Sequence, residues 1–223
     1  MKVKKDHGSW VNRLRKHHPL SLLLYIALMA LGDGMSGMLR LSMQNIFKEK
    51  YHVEPSDLQK YSAAISSPIF FRVVFGIIID AKIVSKRKYY VVMVNILAAI
   101  PVYLIAIEKC SSPAIMALYL FLFSIGHQIL EAVVSSISVE QARKDIECGQ
   151  EDIQSLRSLF MGIGFPLGSV IATYTIEIGR PLIPFLLIFA FSLLMAAQAL
   201  FLSDDIENNQ YATIKDKELL RYE

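Results

Sequence analysis

Asp33 and Arg40 stand seven residues apart in one apolar stretch of the chain, and His127 and Glu131 stand four apart in another. An ionisable group inside an apolar helical run is expensive to keep in lipid, so where it persists it marks a solute or proton path, or a buried pair. At about 100° per residue, Gly37, Arg40 and Gln44 all fall within about 40° of Asp33, which draws one polar stripe up one helix face. Asp33 lies about 20 Å along that helix from Leu20 and Arg40 about 30 Å along, too far apart for either to satisfy the other. A water-filled cavity or a partner helix is implied. His127 and Glu131 are adjacent on their own helix, between Ser124 and Ser135. They either line the same path or satisfy each other beside a serine. A metal would need a third ligand, and no further His or Cys falls at membrane depth.

These residues require long apolar helices to carry them. No charge interrupts Tyr89 to Ile107, Pro113 to Leu130, Ser158 to Ile176 or Pro181 to Ser203, and 54% of the 223 residues are apolar or aromatic. A bilayer core about 30 Å thick takes roughly 20 apolar helical residues. Six spans fit: Leu20 to Phe47, Asp57 to Ile79, Tyr89 to Ile107, Pro113 to Val139, Ser155 to Ile176 and Pro181 to Leu202. The expected fold is all-α, an integral membrane six-helix bundle, since strand-like alternation is absent and lipid tolerates only helices or closed barrels. Residues 1–18 form a basic tail, 19–202 the membrane domain and 203–223 a polar tail. His127 follows Ala114 by thirteen residues, as Asp33 follows Leu20, which is what an internal three-plus-three repeat would give. Gly164, Gly168 and Ala172 recur every four residues, a flat strip on which another backbone can pack closely. A second bundle is the partner expected there.

The net charge of +3 from 23 basic and 20 acidic side chains excludes a strongly basic nucleic-acid binder. Sixteen Lys and Arg fall on the side of both termini against five opposite, with Arg40 and Arg72 left inside spans. The positive-inside bias then puts both termini in the cytoplasm or matrix, without naming the organelle. Cys110 and Cys148 lie on opposite sides and cannot bridge within one chain. Trp10, Val11 and Leu14 in the basic tail could rest on an anionic membrane face, although such a tail also serves simply as a topology signal. No nucleophile and base set or phosphate loop is present, so neither an enzyme nor a cofactor is expected.

Span 2 ends Gly76-Ile-Ile-Ile-Asp80, followed by Lys82 and the run Lys86-Arg87-Lys88. This resembles the loop motif between spans 2 and 3 of the major facilitator superfamily. Val139-Glu140-Gln141-Ala142-Arg143 and Glu151-Asp152-Ile153-Gln154-Ser155 resemble the end of span 4 and start of span 5 of the folate-biopterin transporter family. Pro55-Ser56-Asp57-Leu58-Gln59 resembles that family's start of span 2, and Pro68 with Arg72 falls where it has proline and lysine. The resemblance implies one half of a major-facilitator-type transporter, paired with a second half or a copy of itself, for an anionic pteridine-like solute. Spans 1 and 4 would line the cavity. Asp33, Arg40, Arg72, His127 and Glu131 would form the solute or proton pathway, and Gly76, Asp80, Arg87, Glu140 and Arg143 an inner gate. Ser135 stands where the family has a second acid and Val73 where it has proline, and the chain has half the family's spans. An alternative follows: a transport-incompetent relative built into a larger membrane complex, such as one of the mitochondrial inner membrane.

Overall fold

The computed structural model describes residues 10–80, 87–107, 110–142 and 149–201. Helix α1 (Trp10–His17) leads to Pro19, whose extended backbone starts α2 (Leu20–Met35). Ser36, whose backbone stays helical, leads into α3 (Gly37–Glu49), which continues span 1. Gly32, Gly34 and Gly37 crowd this point, and each weakens a helix by about 1 kcal/mol relative to Ala. The Ser36 hydroxyl donates to the Asp33 carbonyl at 2.6 Å, closing the end of α2.

Span 2 is broken. α4 (Pro55–Ser66) opens with proline in its first turn, where the missing N–H has no partner to lose. The next proline, Pro68, arrives mid-span and tightens Ser67–Phe71 into a 3-10 turn before α5 (Arg72–Asp80) resumes. Arg72 is therefore the first residue past a proline-made joint. The remaining helices are α6 (Arg87–Ala106), α7 (Pro113–Ala142), α8 (Gly149–Glu177) and α9 (Ile183–Ala199). α8 ends in a Schellman turn, with Gly179 at φ +71°, Gly179 N–H donating to Ile176 O at 2.9 Å and Arg180 N–H to Thr175 O at 2.8 Å.

Among the described residues, Leu20–Glu49, Lys88–Ala106, Pro113–Val139 and Gly149–Glu177 are long and apolar enough to cross a membrane. The 3-10 turn divides span 2 into pieces too short to qualify alone, and α9 has 17 residues. The fold is a helical membrane bundle, as expected. Its main packing partners are α2 with α8, α6 with α9, α6 with α7, and α4 and α5 with α7. Two apolar clusters fill it. One gathers Leu22, Tyr25, Ile26, Val91, Val133 and Met195, the other Met38, Phe47, Val102, Ile105, Met116 and Phe185. Along α2–α3 and α7 the charged residues fall between these clusters. Outward faces stay apolar and exposed, as at Phe70, Val73, Leu97 and Val170, which suits lipid.

The strip Gly164, Gly168 and Ala172 is buried, and its partner is span 1 of the same chain rather than a second bundle. A Cβ on Gly164 would strike Leu31 O and come within 3.0 Å of Gly34 Cα, and one on Gly168 within 2.9 Å of Met35 O. Gly34 and Gly164 are thus glycine because two backbones touch there.

Candidate functional site

Five side chains converge between the two cores. Glu131 of α7, with its side chain 9% exposed, accepts from Arg72 Nη2 at 2.5 Å and Arg157 Nη2 at 2.7 Å. Arg157 of α8 also reaches 3.9 Å from Asp33 Oδ2. His127 Nε2 lies 3.4 Å from Asp33 Oδ1. Arg72 completes its set by donating to Ser135 Oγ at 3.0 Å. Spans 1, 2, 4 and 5 therefore meet through two carboxylates, two guanidiniums and one imidazole. Pairing of both guanidiniums with Glu131 is what lets these charges persist inside an apolar bundle.

Helix geometry explains the arrangement. His127 and Glu131 share a face of α7, yet they turn to different neighbours: the imidazole to Asp33 at the end of α2, the carboxylate to the two arginines. Mutual satisfaction of His127 by Glu131, one of the readings of their spacing, is not what the fold uses. The joint at Ser67–Phe71 brings Arg72 onto α7, where its guanidinium meets Glu131 and Ser135.

Arg157 was not expected here. Counted by charge, it belongs to the loop before the uncharged run at Ser158, but α8 begins at Gly149 and carries it two turns into the helix. A signal was available. Extending the strip Ala172, Gly168, Gly164 backwards by helical spacing passes through Phe160 to Arg157, on the face that meets span 1.

Arg40 sits apart from the cluster, past Ser36. It is exposed and makes no ion pair among the described residues. It lines a cavity of about 240 Å³ between spans 1, 2 and 4, together with Ser62, Ser66, Phe123, Ser124 and His127. His127 is common to the cavity and the charge cluster, and the Phe123 ring lies 6.0 Å from its imidazole. A smaller space of about 50 Å³, lined by Asp33, Asn95, His127 and Ser192, lies on the side of α6 and α9. Among the described residues no three His, Cys, Asp or Glu side chains are placed to hold a metal ion.

The expected inner gate is only partly in view. Gly76 lies in α5 with open space where a Cβ would be. The side chains of Asp80, Arg87 and Glu140, and the whole of Arg143, lie outside the described residues.

An apolar helical bundle with an ion-paired cluster at its centre, a 3-10 turn in one span beside that cluster and a cavity of mixed polar and apolar lining next to it has the build of a membrane solute transporter. The comparison with family models makes this specific. The BT1 family, the folate-biopterin transporter family, matches residues 33–220, and the chain belongs to it. No curated protein and no solved structure matches the chain. The protein is an integral membrane member of a transporter family.

Proposed function

We propose that this chain forms one wall of a pathway for an anionic, pteridine-like organic solute, with Arg40 as the group that receives the solute's carboxylate. The supporting observation is a difference in charge compensation. Arg72 and Arg157 are held by Glu131 and Asp33, whereas Arg40 faces a cavity of serines and His127 with no acid paired to it among the described residues. A guanidinium in that setting binds a carboxylate in a fork, and the Phe123 side of the cavity offers a flat apolar surface for a ring. About 240 Å³ is less than the 300 to 1,000 Å³ of a complete ligand pocket. A second six-span unit, in this polypeptide or another, closes the open side. Both termini share the cytoplasmic or matrix side.

The test is uptake by proteoliposomes of a labelled pterin with and without a glutamate tail. Arg40→Ala should abolish uptake of the carboxylate form at normal protein abundance, and Arg40→Lys should retain part of it. Uptake unaffected by Arg40→Ala refutes the assignment. A second reading, a transport-incompetent subunit of a larger membrane complex, is favoured by Ser135. Its neutral hydroxyl meets Arg72 at the position where the resemblance implies a second acid. Absence of any uptake, with co-purification of other subunits in mild detergent, would select it.

A further inference from the structure

The cavity beside Arg40 holds a polar side chain that the charge cluster does not use. Gln128 follows His127 on α7 and lies one turn from Ser124 on the same face, and both line the cavity. Gln128 makes no hydrogen bond among the described residues, and its Oε1 is too enclosed for solvent to reach. A buried carbonyl oxygen without a donor is uncommon and costly, and it calls for a reason. Its own helix supplies none: Ala132, one turn on, is buried and has no polar side chain. The rest of the cavity sharpens the contrast. Arg40 can only donate, and the hydroxyls of Ser62, Ser66 and Ser124 donate or accept as required. Those groups meet every need of a carboxylate, which only accepts. An idle acceptor beside them has no use for that end of a solute.

We propose that Gln128 reads the other end of the solute, its Oε1 accepting from a ring or amide N–H while Arg40 takes the carboxylate. The proposal rests on the reading of this cavity as the anion pathway. A glutamine side chain has three torsions, the last of them broad, so the amide turns from its enclosed setting toward the cavity when a donor arrives. The bond then formed satisfies an oxygen that is otherwise unpaired, and a solute without the N–H leaves it unpaired. Selectivity between two solutes of equal charge follows, as in any site built to bond a polar group. The class so defined is an organic carboxylate with an N–H donor at its far end, such as the lactam of a pterin, as against a dicarboxylate, which offers acceptors only.

Two measurements test this on the full-length protein and on Gln128→Met, which keeps the length of the side chain and removes the amide. Without solute, no bond is lost and an unpaired oxygen is removed, so the detergent-solubilised variant should unfold within about 3 °C of the parent or above it. A larger fall in Tm shows that protein holds the amide and overturns the inference. In proteoliposomes, uptake of a labelled glutamate-bearing pterin is then competed by the same pterin unlabelled and by its counterpart methylated at the ring N–H. The methylated competitor should be weaker by about 5- to 150-fold against the parent, the effect of leaving a buried acceptor unpaired. Against Gln128→Met the two competitors should differ by less than about threefold, because no acceptor is left to go unpaired. A methyl that merely clashed with the cavity would be rejected equally by both proteins, and equal ratios overturn this inference alone. Absence of Arg40-dependent uptake by the unmodified protein overturns the proposed function, and this inference with it.

Discussion

Replacing Glu131 by Gln keeps the shape of the side chain and removes one of two carboxylates that balance Arg72 and Arg157. Each guanidinium lies within 2.7 Å of a Glu131 oxygen. At an effective dielectric of about 20, a pair of unit charges about 4 Å apart attracts by about 4 kcal/mol, before the energy of desolvating the carboxylate is set against it. Breaking a buried pair by removing one partner destabilises by about 3 to 5 kcal/mol. Because the Arg72 side chain is 40% exposed and regains some solvation, the lower end applies, about 3 kcal/mol. For a chain of this size that corresponds to a fall in Tm of roughly 6 to 12 °C. The assay is thermal unfolding of the detergent-solubilised protein, with abundance in membranes alongside. Adding Arg157→Gln should restore charge balance and recover about 1 kcal/mol or more, a coupling that only contacting residues show. A Tm within about 2 °C of the parent, with additive single and double effects, would refute the cluster as a structural tie and return Glu131 to a solvated path.

Gly164→Leu should destabilise the bundle itself by at least the 1 to 3 kcal/mol of an overpacked core, because the added Cβ meets backbone of Leu31 and Gly34 that cannot move aside, whereas Gly162→Ala, with open space, should be stable; thermal unfolding of both variants checks this. Cys110 is buried, and burial holds its thiol above the usual range, so an impermeant maleimide applied from outside should label it slowly near pH 7; the rate should climb about tenfold per pH unit as thiolate forms, and a rate flat with pH counts against the placement. Cys148, whose position lies outside the described residues, should stay unlabelled until the membrane is opened, and its modification from outside would reverse the assigned orientation.

The bundle was legible because membrane helices declare themselves through long uncharged runs, which need no knowledge of their neighbours. The five spans bounded by such runs or by Pro19 were located to within a few residues, apart from the six-residue extension at the start of α8. The interior was legible only where a single helix sufficed. Asp33, His127 and Glu131 stood out as polar residues at depth, and they do meet. The partner of each was not legible, because partners come from other helices and depend on breaks whose angle no periodicity specifies. Arg72 reaches Glu131 only because Pro68 turns the chain, and Arg157 reaches it only because α8 starts earlier than its charge pattern suggests. The glycine strip shows the same limit. Its spacing announces a close contact, but only the fold shows that the contact is Gly34 and Met35 of the same chain.

Spans 1 and 2 give the site its division of labour. Span 1 carries Asp33 and Arg40 on one stripe, two turns apart, on either side of Ser36, whose backbone stays helical and donates to Gly32 O at 2.9 Å. α2 is held by its backbone contact with α8 and turns Asp33 to His127 and Arg157, while α3 carries Arg40 to the cavity wall. On the other side of the cavity the 3-10 turn at Pro68 does the same for span 2: Ser62 and Ser66 precede the turn and line the cavity, while Arg72 follows it and joins the cluster. Each of these spans thus contributes one part to the charge network and one to the open wall. His127 is the side chain that belongs to both, through Asp33 on one side and the cavity on the other. A solute anion beside Arg40 would therefore be felt by the cluster through a single imidazole. Changes at His127 should accordingly alter the response of uptake to pH, whereas changes at Ser62 or Ser66 should alter apparent affinity alone.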